Sequence, residues 1–293
     1  EDDDQLGLAH FVEHMAFNGT TNFAKNDLVD FLESTGVRFG ADLNAYTSFD
    51  ETVYMLQLPT DKEGLVDKGL TVMSDWATGI AFEGEEIDKE RGVIESEWRT
   101  GLGADERMRH VWWPKVFYKT RYANRLPIGT MDIIQNAPHD RFRRFYKDWY
   151  RPNLQAIIIV GDLDVEEMEK KIIEKFKGLK NPESPREKVE YEVPGHKETF
   201  VAIATDKEAT SNSIQVYTKH EAKKIKTLDD YRSSLMHDIY NRMLNERFKE
   251  VSQKNDAAFL NAGAGYGSFV RTKDAYSLGA QAKEGKILES LES

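Results

Sequence analysis

Residues 10–14 read His-Phe-Val-Glu-His, and few short patterns restrict a chain as strongly. On a helix turning about 100° per residue, His14 lies about 40° from His10 and Glu13 about 60° to its other side, so all three share an arc of about 100°. Two imidazoles one turn apart can hold a single Zn²⁺, and the carboxylate beside them can take a proton from water on that metal. The order is the reverse of the commoner His-Glu-x-x-His arrangement. Seven His and 28 Glu in 293 residues make about 0.016 chance occurrences expected. That rate outweighs the plain alternative, a solvated helix face carrying two unrelated histidines.

Composition narrows the chemistry further. Without cysteine, the chain cannot form disulfides, thiolate nucleophiles, iron–sulfur clusters or zinc fingers, so a metal must be held by His, Asp and Glu. The 40 basic and 51 acidic residues leave a net charge of −11, which disfavours a nucleic-acid partner. The longest aliphatic run, Ala156-Ile157-Ile158-Ile159-Val160, is far short of the ~20 residues of a membrane span. An apolar fraction of 40% suffices for a core, and the length suits one large domain or two of average size.

Periodicity and breakers predict the elements. Asp3 or Asp4 N-caps a helix from about Leu6 to Phe17, stopped by Asn18-Gly19. Further helices are expected at 25–34, 62–79 (core stripe Val66, Leu70, Met73, Trp76), 85–99, 141–150, 165–177 and 228–250, and another from about Glu284. Strands are expected at 44–47, 52–58, 200–204 and 213–218, with a buried strand at Leu154–Val160. Prolines 182, 185 and 194 mark residues 181–196 as a linker between a first domain, 1–180, and a second, 197–293. The fold class is α+β: two related domains, each a mainly antiparallel sheet covered by helices, the second incomplete. The chain opens Glu1-Asp2-Asp3-Asp4 without Met and stops inside the last expected helix. Both ends read as cuts, and a signal peptide would lie upstream.

A catalytic zinc takes three protein ligands and leaves a position open for water. The helix at 85–99 offers Glu86, Glu90, Glu95 and Glu97. Glu90 and Glu97 project within about 20° of one another but about 10.5 Å apart along the axis. One of the two is then a ligand and the other orients a ligand histidine; periodicity leaves open which. Without the His motif, an ordinary charged helix would be the better reading.

The run Gly7-Leu8-Ala9-His10-Phe11-Val12-Glu13-His14-Met15-Ala16-Phe17-Asn18-Gly19-Thr20 resembles the pitrilysin/insulysin family of inverzincin metallopeptidases, which includes mitochondrial processing peptidase. So do Asn44-Ala45-Tyr46-Thr47-Ser48 and Glu90-Arg91-Gly92-Val93-Ile94-Glu95-Ser96-Glu97. Among its members the likeness is to long bacterial zinc proteases, over most of 1–180 and more loosely over 195–293. The resemblance implies a zinc endopeptidase acting on peptides or unfolded polypeptides, with one Zn²⁺ per chain. It implies that His10, His14 and Glu97 are the ligands, Glu13 the general base, and Glu90 an acidic residue behind a ligand histidine. His14 to Glu97 is longer than the usual family spacing, which Glu90 would fit better; the two Glu seven apart favour Glu97. Asn44-Ala45-Tyr46 resembles the edge strand on which members lay an extended substrate, a mode that holds the backbone while leaving sequence preference loose. The resemblance further implies a fragment: the zinc-binding domain lacking its first strands, then part of a metal-free second domain. A missing C-terminal half or partner subunit would close the chamber, and the bacterial periplasm is the implied compartment.

Rival readings are a non-catalytic scaffold or regulatory homologue of the same fold, or a zinc-binding fragment without turnover. The intact His10/Glu13/His14 set argues against the first. Other signals carry little. Asn18-Gly19-Thr20 is a chance sequon, Gly263–Gly267 a loop or small-residue strand, and Trp112-Trp113-Pro114 core packing. His110, His139, His196, His220 and His237 lack ligand spacing.

Overall fold

A computed structural model describes residues 1–25 and 27–293. In chain order the elements are α1 (Leu8–Met15), α2 (Asp27–Ser34), β1 (Leu43–Thr47), β2 (Thr52–Leu56), α3 (Leu65–Thr78), α4 (Gly84–Thr100) and α5 (Ala104–Val116). There follow α6 (Met131–Asn136), α7 (His139–Trp149), α8 (Val165–Phe176), β3 (Asn212–Glu221), α9 (Leu228–Ser252), β4 (Phe259–Val270), β5 (Lys273–Ala282) and α10 (Ile287–Glu292). Asn26, within the helix expected at 25–34, lies outside the described residues. The chain forms two compact units, residues 1–101 with 125–188, and residues 102–124 with 189–293. Mixed helices and small antiparallel sheets make the fold α+β.

The first unit is built around α1. Leu8, Phe11, Val12 and Met15 recur at i, i+3, i+4 and i+7 and are fully buried. They join Ile87 and Ile94 of α4, Val72 and Trp76 of α3, and Phe142 and Phe145 of α7 in one core. Phe11 meets Phe142 with ring centroids 4.5 Å apart, and Trp76 Nε1 donates to the Ala16 carbonyl just past the end of α1, at 3.1 Å. The helix is thus clamped by α3, α4 and α7.

Its entry differs from the expected aspartate cap. Asp2 instead caps a short 3₁₀ turn, Asp3–Gln5, with which Gln5 closes a capping box. The helix then starts after Gly7, which adopts φ +89°. A Cβ on Gly7 would lie 2.8 Å from Gly129 Cα, and one on Gly129 (φ +75°) only 2.4 Å from Gly7 Cα. Two glycine backbones touch here, and no side chain fits between them. Gly129→Ala is expected to cost about 1–3 kcal/mol from the left-handed backbone alone, with the clash added. Thermal denaturation checks it: a midpoint within about 1 °C of wild type would show that the contact is dispensable.

β1 and β2 pair antiparallel, Leu43 opposite Leu56 and Thr47 opposite Thr52. The expected buried strand at 154–160 is not observed: among the described residues it has no strand partner, and Ile158 and Val160 are 80% and 91% exposed. A single extended run buries neither its backbone groups nor both its faces without neighbours.

In the second unit β3, β5 and β4 form an antiparallel sheet in that order, with α9 packed on β4. The expected strand at 200–204 forms no ladder, with Val201 and Ile203 69% and 80% exposed, for the same reason. Gly263–Gly267 lies within β4. The segment 102–124 belongs to this unit because Phe117 stacks on Phe269 at 5.0 Å and Arg107 pairs with Asp206 at 2.7 Å. Trp113 Nε1 donates to the Tyr122 carbonyl at 2.9 Å. Among the described residues, no helix is long and apolar enough to cross a membrane.

Candidate metal centre

The polar face of α1 meets α4. On α4 the buried pair Ile87 and Ile94 is offset by three residues from Glu90 and Glu97, so the two stripes lie about 60° apart. Burying the isoleucines against α1 therefore turns both carboxylates toward His10 and His14. Arg91 sets the helix further: its guanidinium donates to the Ile134 carbonyl at 2.5 Å and the Ala137 carbonyl at 2.7 Å, both at the end of α6.

Three donor atoms converge. His10 Nε2 and His14 Nε2 lie 3.2 Å apart, and each lies 3.6 Å from Glu97 Oε2. A point equidistant from three atoms so spaced lies about 2.0 Å from each, the length of a zinc–imidazole or zinc–carboxylate bond. His10, His14 and Glu97 also form the only such group of three or more His, Cys, Asp or Glu found among the described residues. The donor set and its spacing fit a zinc ion with a coordination position left open.

The surrounding groups orient these side chains. Glu90 Oε1 sits 2.7 Å from His14 Nδ1, and its Oε2 accepts from Asn18 Nδ2 at 2.5 Å. A proton held on Nδ1 leaves the Nε2 lone pair of His14 directed at the other two donors. Burial works against a charged His14, but the bond to Glu90 and the nearby acids outweigh it and raise its pKa. Burial, with the neighbouring His14, lowers that of His10 and favours the neutral, metal-ready imidazole. His10 Nδ1 is buried without a hydrogen-bond partner among the described residues.

Glu13 is buried beside the triad. Burial raises its pKa above the ordinary carboxylate value, opposed by the Thr47 hydroxyl, which donates to Oε2 at 2.5 Å. A carboxylate so placed is a stronger base than one in water.

Each residue expected from the sequence has a definite place. His10, His14 and Glu97 come together; Glu90 lies behind His14; Glu13 stands alongside. Asn44, Ala45 and Tyr46 lie on β1, which pairs with β2 and has no second strand partner among the described residues. The Ala45 N–H donates to Asn44 Oδ1 at 2.9 Å, and the exposed Tyr46 reaches Glu51 at 3.3 Å. The five remaining histidines stand apart: His139 bonds Asp88, His110 pairs with Glu106, His196 bonds the Glu198 carbonyl, and His220 and His237 lie against Tyr266.

Two contributors escaped the sequence reading. Asn18, set aside as part of a chance sequon, is one turn beyond His14, and that spacing was its available signal. Thr47 belongs to the segment that carried the resemblance, yet nothing in its pattern pointed to Glu13, 34 residues away.

The chain matches the model of the insulinase family, peptidase family M16, over residues 1–116, and that of the peptidase M16 inactive domain over 136–276. It is 34% identical over 261 residues to the zinc protease PQQL-like protein of Arabidopsis thaliana, covering 89% of this chain and 27% of that protein. It is 34% identical over 263 residues to the probable zinc protease PqqL of Escherichia coli K12, covering 90% and 28%. The crystal structure of the first half of the periplasmic protease PqqL from Escherichia coli superposes with a TM-score of 0.81 at 31% identity, covering 97% of this chain and 60% of that one. The chain thus spans little more than a quarter of the length of these curated relatives.

Proposed function

This chain belongs to the insulinase family of peptidases, M16, and on that premise we propose that it carries the zinc site of an endopeptidase that hydrolyses peptides or unfolded polypeptides. The observation that carries this reading is the convergence of His10, His14 and Glu97 donor atoms at 3.2–3.6 Å, with the buried Glu13 beside them. The named relatives are zinc proteases, which supports the same chemistry. In this proposal residues 1–180, apart from the segment 102–124 that belongs to the second unit, are the zinc-binding domain and 197–293 part of a metal-free one. The remaining walls of a substrate chamber are supplied by chain or partner outside these residues. The structural neighbour is a periplasmic protease, which favours that compartment.

His10, His14 and Glu97 would hold one zinc, which supplies Lewis acidity toward a peptide carbonyl and makes water acidic enough to deprotonate near neutral pH. Glu13 accepts the proton of the attacking water. As the C–N bond breaks, the same carboxyl passes that proton to the departing amine. Glu90 and Asn18 hold the His14 ring in place and keep its proton on Nδ1. The open edge of β1 at Asn44, Ala45 and Tyr46 pairs with an extended peptide, its backbone supplying the hydrogen bonds.

The test is hydrolysis of an unstructured peptide by the longer, zinc-loaded protein, before and after chelation. Turnover is expected to disappear with a chelator and return with one equivalent of Zn²⁺. Cleavage indifferent to the chelator would overturn the reading.

A further inference from the structure

We propose that Thr47 is a positioning residue for Glu13: its hydroxyl pins one carboxylate oxygen, so that the other is the one that receives the proton from water. The inference rests on the reading of Glu13 as general base. Thr47 Oγ1 lies 2.5 Å from Glu13 Oε2, whereas Oε1 forms no hydrogen bond among the described residues. An oxygen already accepting a short hydrogen bond is the weaker proton acceptor, so the roles of the two oxygens are divided before any substrate arrives.

The contact is backed by a second hydroxyl. Thr47 Oγ1 is 3.0 Å from Thr52 Oγ1, across the β1–β2 pair. Tyr54, two residues along β2 from Thr52, has its hydroxyl 2.8 Å from that of Tyr150. Each hydroxyl has one proton to give, and an ionised Glu13 can only accept. The Thr52 hydroxyl therefore donates to Thr47 and the Thr47 hydroxyl to Glu13, the first bond polarising the second. A free glutamate side chain turns about three torsions. Here one end is fixed by α1 and the other by β1, which is held to the core by its own Leu43 and by its partner strand β2, whose Tyr54 packs against that core.

A purely structural role for Thr47 would be its cross-strand pairing with Thr52, which needs no contact with Glu13. Thr47→Val separates the two, since valine keeps the shape and strand preference of threonine and loses only the hydroxyl. In the zinc-loaded protein, Thr47→Val is expected to lower kcat by about 10- to 100-fold, with KM, zinc content and melting temperature unchanged. Thr47→Ser, which restores the hydroxyl, is expected to recover most of the loss. A readout independent of turnover is the carboxyl carbon resonance of ¹³C-labelled Glu13, assigned by its loss in Glu13→Gln. It is expected to move in Thr47→Val and return in Thr47→Ser.

Wild-type kcat in Thr47→Val overturns the proposal, as does a Glu13 resonance that valine leaves in place. A loss that serine does not rescue, or one accompanied by loss of zinc, likewise assigns Thr47 a structural role. If the wild-type protein holds zinc and cleaves no peptide, the proposed function fails; the resonance alone then decides whether Thr47 fixes the carboxylate.

Discussion

Replacing Glu13 by Gln is expected to lower peptide hydrolysis by about 10²- to 10⁴-fold while leaving one zinc per chain. The amide matches the carboxylate in shape and can still accept from Thr47 Oγ1 at the position of Oε2. It cannot take a proton from water, and general-base assistance has that magnitude. The metal is expected to stay because His10 Nε2, His14 Nε2 and Glu97 Oε2 are all untouched. Elemental analysis and steady-state kinetics on the same preparation check both halves. Activity within tenfold of wild type would remove Glu13 from the role of base; loss of zinc would instead show that its charge helps hold the ion.

The second large effect separates the two glutamates of α4. Glu97→Gln is expected to empty the site, because a neutral amide replaces the only carboxylate in the triad and coordinates zinc poorly. The Glu97 side chain is 49% exposed, so the change is expected to spare the fold. Glu90→Gln is expected to keep the metal with about 10- to 100-fold weaker affinity. Its target is the 2.7 Å contact to His14 Nδ1, which orients the ring without touching the ion position. Zinc titrations of the two variants in parallel read the difference. If Glu90→Gln empties the site and Glu97→Gln does not, the assignments are reversed.

The proposed roles of Glu90 and Glu97 also show how far the sequence reached. Their seven-residue separation places both on one side of a helix, and periodicity carries no information about the helix across from it. Those proposed roles rest on the docking of Ile87 and Ile94 against α1, which sets Glu97 beside both imidazole Nε2 atoms and Glu90 behind His14. The segments 154–160 and 200–204 show the opposite limit. Both read as strands from their β-branched and aliphatic residues, yet a strand is a property of a pair, and among the described residues neither has a partner. The start of α1 was misread because the turn there is made by two touching glycines, Gly7 and Gly129, separated by 122 positions.

What the sequence alone determined was local and periodic. It specified a helix carrying His10, Glu13 and His14 on one face, a chain with no cysteine to offer a metal, a second helix with paired glutamates, and the α+β class. Those follow from residue type and from 100° per residue, which need no knowledge of neighbours. Tertiary structure decided everything that depends on distance through space. It set which glutamate meets the histidines, brought Asn18 to Glu90 and Thr47 to Glu13, and placed residues 102–124 in the second unit. Side chains far apart in sequence come within 3 Å only through the packing of the elements that carry them, and no local pattern encodes that packing.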